Sequence, residues 1–226
     1  MLSKTEFFTS ISKEEIQQGL YSLDRDDYRF TLNRPSAHFL YDPWEIKDQY
    51  RDTVWHKILQ SLPFSVGEAR IIILESGQCY QSHADIDDRY HMNLTGSLCY
   101  AVNLETNQIF EMICDGHWYE FTADQRHSAA NFGRDFRAQL VVRKLLIKNI
   151  LENPVQIIFK SALAIEDTRF VGENIVSPWL NKANKSGVIS NLQILDSGIL
   201  SFSIEKDVLP KFNEIVPDGF SFTIVE

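Results

Sequence analysis

The run Ile71-Ile72-Ile73-Leu74-Glu75-Ser76-Gly77-Gln78-Cys79-Tyr80-Gln81-Ser82-His83-Ala84-Asp85 decides how the chain is read. Four consecutive apolar residues read as a buried strand, and Ser76-Gly77 reads as a turn. Gln78 to Ser82 then forms a second strand that ends at His83. Further strands follow at His91–Leu94, Leu98–Val102, Ile109–Ile113, Trp118–Phe121 and Phe136–Ile147. They are parted by turns at Asp87-Asp88, Thr95-Gly96, Glu105-Thr106-Asn107, Asp115-Gly116 and Phe132-Gly133. Many short strands with regular turns predict a mainly β domain, a sandwich or jelly-roll barrel.

The chemistry-bearing residues sit at the ends of these strands. Residues two apart on extended chain share a side, so His83 and Asp85 can reach one ion from one strand end. His127 comes 44 residues later, enough chain for several strands to return beside the first. Two imidazoles and one carboxylate cover one face of a non-haem iron(II) ion and leave its other positions open. His-x-Asp alone is equally well a surface histidine beside a solvated acid, so the weight lies in the combination. Arg137 follows ten positions after His127 on the next strand. A guanidinium fork there suits the far carboxylate of a dicarboxylate co-substrate. Arg134, nearer the turn, and Arg143, about 20 Å further along an extended strand, are its competitors. Arg89 and His91 share parity and are expected to face the same cavity. His91 is either a rival metal ligand or a contact to co-substrate or substrate. Asn131 is expected to hold the loop after His127. Trp118 is read as core, Asp87 and Asp88 as a solvated turn, and His38, His56 and His117 as structural or exposed.

Three quoted segments carry a resemblance in order and spacing. They are Leu74-Glu75-Ser76-Gly77 with His83-Ala84-Asp85, Arg89-Tyr90-His91-Met92-Asn93-Leu94, and Gly116-His117-Trp118-Tyr119-Glu120-Phe121 leading to His127-Ser128-Ala129-Ala130-Asn131-Phe132-Gly133 and Phe136-Arg137. Over about residues 55–147 the chain resembles the aspartyl/asparaginyl β-hydroxylase family, including the L-proline cis-hydroxylase type. The resemblance implies a double-stranded β-helix (jelly-roll, cupin-like) fold, iron(II) held by His83, Asp85 and His127, and 2-oxoglutarate held by Arg137. It places Arg89 near co-substrate or substrate carboxylate. The activity implied is hydroxylation of an amino acid, or of an amino-acid residue in a peptide or protein, with release of succinate and CO2. Some members of the β-hydroxylase branch lack the carboxylate ligand; here Asp85 is present. Two other readings stand beside it: a cupin-like metalloenzyme without 2-oxoglutarate, and a non-catalytic binding module on the same barrel.

Outward from this stretch the signals are weaker. Ser12 with Glu15 is a capping box that starts a short helix through Leu20 and Leu23. Tyr28–Leu32 alternates as a strand. Asp42-Pro43-Trp44 is expected to open a helix carrying Ile46, Tyr50, Val54, Ile58 and Leu59, closed by Pro63. Residues 1–149 are thus assigned to the oxygenase domain with its N-terminal flank, and residues 150–226 to a small α+β appendage. In the appendage Ile157–Ile165 is read as helical, Leu192–Ile194 and Leu200–Ile204 as a hairpin about Asp196-Ser197-Gly198, Val208–Ile215 as helical, and Phe220–Ile224 as a final strand. This appendage is a partner-binding or dimerising element, or a lid.

Composition sets the outer bounds. A 44% hydrophobic and 23% charged chain of 226 residues is ordinary for a globular protein. The net charge of −9, without a basic cluster, argues against a nucleic-acid partner. No apolar run spans a membrane. Cys79, Cys99 and Cys114 have no metal-type spacing and are expected to be small buried residues. Their odd number, with no apolar signal core behind Met1-Leu2-Ser3-Lys4, fits a reducing cytoplasm.

Overall fold

The computed structural model of the chain describes residues 2–23, 27–122, 125–161, 176–196, 199–215 and 220–225. The N-terminal part contains β1 (Leu2–Phe8), α1 (Lys13–Tyr21), β2 (Arg29–Thr31), β3 (Asn33–Pro35), β4 (Trp44–Ile46) and α2 (Val54–Gln60). Then come β5 (Val66–Leu74), β6 (Arg89–Thr95), β7 (Cys99–Asn103), β8 (Gln108–Glu111), β9 (His117–Phe121), β10 (His127–Asn131) and β11 (Arg137–Lys144). The C-terminal part contains β12 (Pro154–Ser161), α3 (Ser177–Lys185), β13 (Ile189–Asp196), β14 (Ile199–Glu205), α4 (Leu209–Ile215) and β15 (Phe220–Val225). The chain divides into two compact units, Met1–Ser82 with Asp87–Leu145 and His83–Ile86 with Leu146–Glu226.

In the first unit the strand order is β1-β9-β6-β11-β5-β2 in one sheet and β10-β7-β8 in another, every pairing antiparallel. The segment after Gly77 runs beside β10: Cys79 bridges Ala130, and Tyr80 N–H donates to the Ala129 carbonyl at 2.8 Å. Between β5 and β11 the chain crosses repeatedly from one sheet to the other: β5, β6, β9 and β11 lie in the large sheet, and β7, β8 and β10 in the small one. That order is a double-stranded β-helix, a jelly roll. Gly96 permits the tight crossing from β6 to β7. Its φ is +97°, and a Cβ there would stand 3.2 Å from the Arg137 Cα.

The large sheet has two unlike faces because strand side chains alternate. Ala69, Ile71 and Ile73, Tyr90, Met92 and Leu94, and Ala138, Leu140 and Val142 pack in one core with Ile16 and Leu20 of α1 and Trp55, Ile58 and Leu59 of α2. The opposite parity carries Arg137, Gln139 and Arg143, Arg89, His91 and Asn93, and Glu68 and Arg70. Tyr119, Phe121, Met112 and Ala101 form a second, smaller core. Trp118 is 1% exposed, as core.

Helix α1 starts at the Ser12–Glu15 capping box, worth about 1 kcal/mol. The helix expected from Asp42 does not form there. Asp42 is used backward: its carboxylate accepts from His38 N–H at 3.0 Å, and its N–H donates to the His38 carbonyl at 2.9 Å. Trp44–Ile46 pairs with β3, and Asp48–Tyr50 is a single 3-10 turn. Only Val54–Gln60 is α-helical. Ile46, Tyr50 and Val54 still pack against the main core, so their spacing reported burial rather than helix.

In the second unit the order is β13-β14-β12-β15. Ile157 onward is strand β12, not helix. It is paired on both sides, and Ile157 and Phe159 are fully buried. Residues 162–165 of that expectation lie outside the described residues. The expected hairpin pairs as β13 with β14; Ser197 and Gly198 lie outside the described residues. Phe159, Trp179, Phe202 and Phe212 stack with one another, and Asn184 both donates to and accepts from the Ile147 backbone. No helix among the described residues is long and apolar enough to cross a membrane.

Candidate functional site

His127 is the first residue of β10, opposite Asn103 of β7, and is 9% exposed. Its Nδ1 lies 2.9 Å from the Gln125 carbonyl. That carbonyl can only accept, so Nδ1 carries the hydrogen and Nε2 keeps its lone pair for a metal. Gln125 is itself held by Asn103 Nδ2, and the Asn103 Oδ1 accepts from the Glu105 and Thr106 N–H groups. His83 Nε2 lies 3.7 Å from Asp85 Oδ2. One ligand atom from each of His83, Asp85 and His127 falls within 4.8 Å of the others. Two nitrogen donors and one carboxylate oxygen are a fitting set for a divalent transition metal.

Arg137, the first residue of β11, is 1% exposed. Its Nη2 contacts Met112 Sδ at 3.7 Å, while Nε and Nη1 are buried and have no hydrogen-bond partner among the described residues. No carboxylate there pairs with it. Burial pulls its pKa below the ordinary value, with Cys99 and Tyr80 pushing the other way. A buried guanidinium in this state is costly unless an anion joins it. Arg134 is exposed, and Arg143 belongs to a different cluster.

His91 sits on the same inner face as Arg137. Its Nδ1 meets Gln139 Oε1 at 3.1 Å, and its ring stacks on Phe121 with centroids 4.0 Å apart. Phe121 in turn meets the His127 ring edge-on at 5.7 Å. Burial holds His91 neutral, with a pKa well below its ordinary value; the nearby His127, Arg137 and Arg89 act in the same direction. His91 is not among the residues whose ligand atoms converge, so a contact to a bound molecule suits it better than a place beside the triad.

Arg89 is buried but does not lie beside Arg137. Register places it opposite Arg143, six residues further along β11 and so about 20 Å away. It pairs with Asp87 at 3.3 Å. Asp87 and Asp88 are therefore not a solvated turn; they are 2% and 9% exposed, and Asp87 also meets Arg143 at 2.9 Å. Asn131 holds the following loop, donating to the Leu74 and Asp135 carbonyls and accepting from Gly133 N–H. Of the cysteines, Cys99 is buried, Cys114 half-buried and Cys79 exposed. Cys79 departs from expectation: Gln78–Ser82 forms no regular strand but a single bridge to β10 at Cys79–Ala130, and the thiol there is exposed. His38, His56 and His117 accept from or pair with local partners and join no cluster.

Sequence reasoning passed over Tyr80, Met112, Gln125 and Gln139. Gln139 has the parity of Arg137 and was findable from alternation alone. Gln125 needed the His127 contact to be seen.

Comparison with known families and with curated proteins finds no match to this sequence. Solved structures similar to this chain include a prolyl-4-hydroxylase from Pseudomonas putida, with TM-score 0.40 and 11% identity over 63% of this chain and 90% of that one. A cupin-family protein with a double-stranded β-helix fold from Methanocaldococcus jannaschii gives TM-score 0.33 and 10% identity over 55% and 87%. A cupin domain from Bordetella pertussis gives TM-score 0.31 and 11% identity over 36% and 84%. The jelly-roll assignment rests on this chain's own strand order and register, which stand without these likenesses.

Proposed function

We propose that this chain is an iron(II)- and 2-oxoglutarate-dependent oxygenase that hydroxylates an amino acid, or an amino-acid residue in a peptide or protein. The observation that carries the reading is Arg137: a fully buried guanidinium with two donor nitrogens that find no partner among the described residues, on the barrel face that also bears His91. A carboxylate brought in by a small dicarboxylate supplies the missing charge. His83, Asp85 and His127 would hold the metal, which the resemblance to the β-hydroxylase family makes iron(II). The chemistry supplied by bound iron(II) and 2-oxoglutarate is oxygen insertion into a C–H bond, coupled to release of succinate and CO2.

The chain's own residues orient and insulate. Gln125 fixes the His127 tautomer, Asp85 offsets part of the metal's charge, and Arg137 anchors the far carboxylate. His91, kept neutral, offers Nε2 without adding charge, and Phe121 shields it from water. Anaerobic titration with iron(II) and 2-oxoglutarate tests the reading, followed by a succinate-release screen over amino acids and peptides. A metal-to-ligand charge-transfer absorption is expected; its absence at saturating 2-oxoglutarate overturns the proposal. Full activity in Arg137→Ala would favour a metalloenzyme that does not use 2-oxoglutarate.

A further inference from the structure

At the other end of the same inner face lies a second cationic group. Glu68 is approached by three guanidiniums: Arg29 Nη2 at 3.0 Å, Arg70 Nη1 at 2.9 Å and Arg143 Nε at 3.6 Å. Arg143 Nε also lies 2.9 Å from Asp87 Oδ2, and Asp87 Oδ1 serves Arg89. The side chains of Arg70, Arg143 and Glu68 are only 11%, 16% and 11% exposed. Arg70 Nε is buried without a hydrogen-bond partner among the described residues. Arg143 lies over the Phe39 ring, its Cζ 5.9 Å from the centroid. Two carboxylates, Glu68 and Asp87, are shared among four guanidiniums, Arg29, Arg70, Arg89 and Arg143, in a setting where uncompensated charge is expensive. Burial, and then the neighbouring Arg89, pull Arg70 down to about 10.

Register fixes where this group lies. Arg70 is opposite Val141, and Val141 is opposite His91. Arg70 and His91 therefore occupy one rung two strands apart, with Cα atoms about 10 Å from each other. Arg137 lies four residues from Val141 along β11, about 13 Å in the other direction. Two cationic groups thus stand on one barrel face: Arg137 about four residues from the rung that bears His91, and a second group that begins on that rung with Arg70 and extends past it to Arg143.

We infer that Arg70 and Arg143, with Arg29 at the rim, bind an anionic oxygen group of the substrate, a carboxylate or a phosphate. This inference rests on the proposed function, because it assigns Arg137 to the co-substrate and leaves the second group for the molecule to be oxidised. It narrows the substrate class to one carrying a negative group set apart from the C–H bond to be oxidised.

The test is calorimetric titration of the iron-free chain in the Arg137→Met background, so that the co-substrate anchor is silent. The probes are inorganic phosphate, N-acetyl-L-alanine and N-acetyl-L-alanine amide. Saturable binding of phosphate or of the free acid is expected, with the amide binding about tenfold or more weakly than the acid. Preference for phosphate points to a phosphorylated substrate, and preference for the free acid to a carboxylate. Arg70→Gln and Arg143→Gln are each expected to weaken binding about tenfold or more, and Glu68→Gln, which removes a competing carboxylate, to tighten it. A purely structural network would lose stability in all three variants without this reversal of sign. Should a buried variant fail to fold by circular dichroism, Arg29→Gln, at 57% side-chain exposure, reads the same effect at lower amplitude. No saturable anion binding, or affinity unmoved by these substitutions, overturns the inference. The 2-oxoglutarate absorption of the unsubstituted chain is read separately: if it forms while anions fail to bind, the cluster assignment falls and the proposed function stands.

Discussion

Arg137→Met is the most decisive substitution. Methionine keeps the length and apolar stem of arginine and removes a charge that is 1% exposed and, among the described residues, held by one sulfur contact. Replacing buried ionic groups by apolar ones of similar size is commonly neutral or stabilising by about 1–4 kcal/mol. The ligand-free variant is therefore expected to gain about 1–3 kcal/mol, a rise in Tm of roughly 2–10 °C for a chain of this size. Co-substrate binding moves the other way. A carboxylate left without its buried partner costs about 3–5 kcal/mol, or roughly two to three and a half orders of magnitude in Kd for 2-oxoglutarate. Thermal unfolding with and without 2-oxoglutarate, on protein loaded with a redox-inert divalent metal, measures both. An arginine serving only structure gives the opposite pair of results. Loss of more than about 1 kcal/mol in the ligand-free variant, with 2-oxoglutarate affinity within about twofold, refutes the reasoning.

Three further outcomes follow from the geometry. His83→Ala or His127→Ala is expected to abolish stoichiometric iron(II) binding with far-ultraviolet circular dichroism unchanged; retained stoichiometric metal in either variant removes that ligand from the assignment. Asn131→Ala deletes two donated hydrogen bonds and one accepted one at a fully buried position, a loss of about 2–3 kcal/mol in urea unfolding; a loss under about 0.5 kcal/mol contradicts the loop-holding role. For Glu68, burial alone would raise the carboxyl pKa, but Arg70, Arg143 and Arg29 outweigh it and hold it below the ordinary 4.5. Its ion pairs therefore stabilise the fold above pH 4.5, and that contribution fades as pH falls through the lower folded value. Glu68→Gln should flatten the acid limb of the stability–pH curve below 4.5, and an unchanged limb in urea titrations at stepped pH would count against the pairing.

The barrel was legible because alternation and turn residues are local signals. Ile71–Leu74, Thr95-Gly96 and Phe132-Gly133 announce strands and reversals whatever surrounds them. The residues that meet in the structure, His83, Asp85 and His127, were legible as types and spacings, and Arg137 as a guanidinium at a strand start. What sequence could not show depends on pairing across distance. Asp87-Asp88 looks like a solvated turn until Arg143, 56 residues on, is placed against Asp87. Ile157–Ile165 is apolar enough for either helix or strand, and only pairing with β14 and β15 on both sides decides for strand. Asp42-Pro43 has the chemistry of a helix start, but backbone bonds back to His38 claim it first. Glu68 and Arg70 sit in an ordinary-looking strand, and nothing local marks them as part of a charged cluster.

The seating of β10 has a consequence for how such a barrel loses its chemistry. The strand is fastened at one end by Asn131 to Leu74 and Asp135, and at the other by Leu104 N–H to the Arg126 carbonyl and by Asn103 to Gln125. A slip of one residue would swing Ser128 inward and carry the imidazole to the outer surface, with the ladder nearly intact. Insertion or deletion of a single residue within β10, between His127 and Asn131, would therefore part the His127 imidazole from the inner face while leaving every histidine in its sequence. Barrels of this kind that have lost the convergence of the three donors are to be recognised by counting the residues from His127 to Asn131, not by looking for a missing histidine.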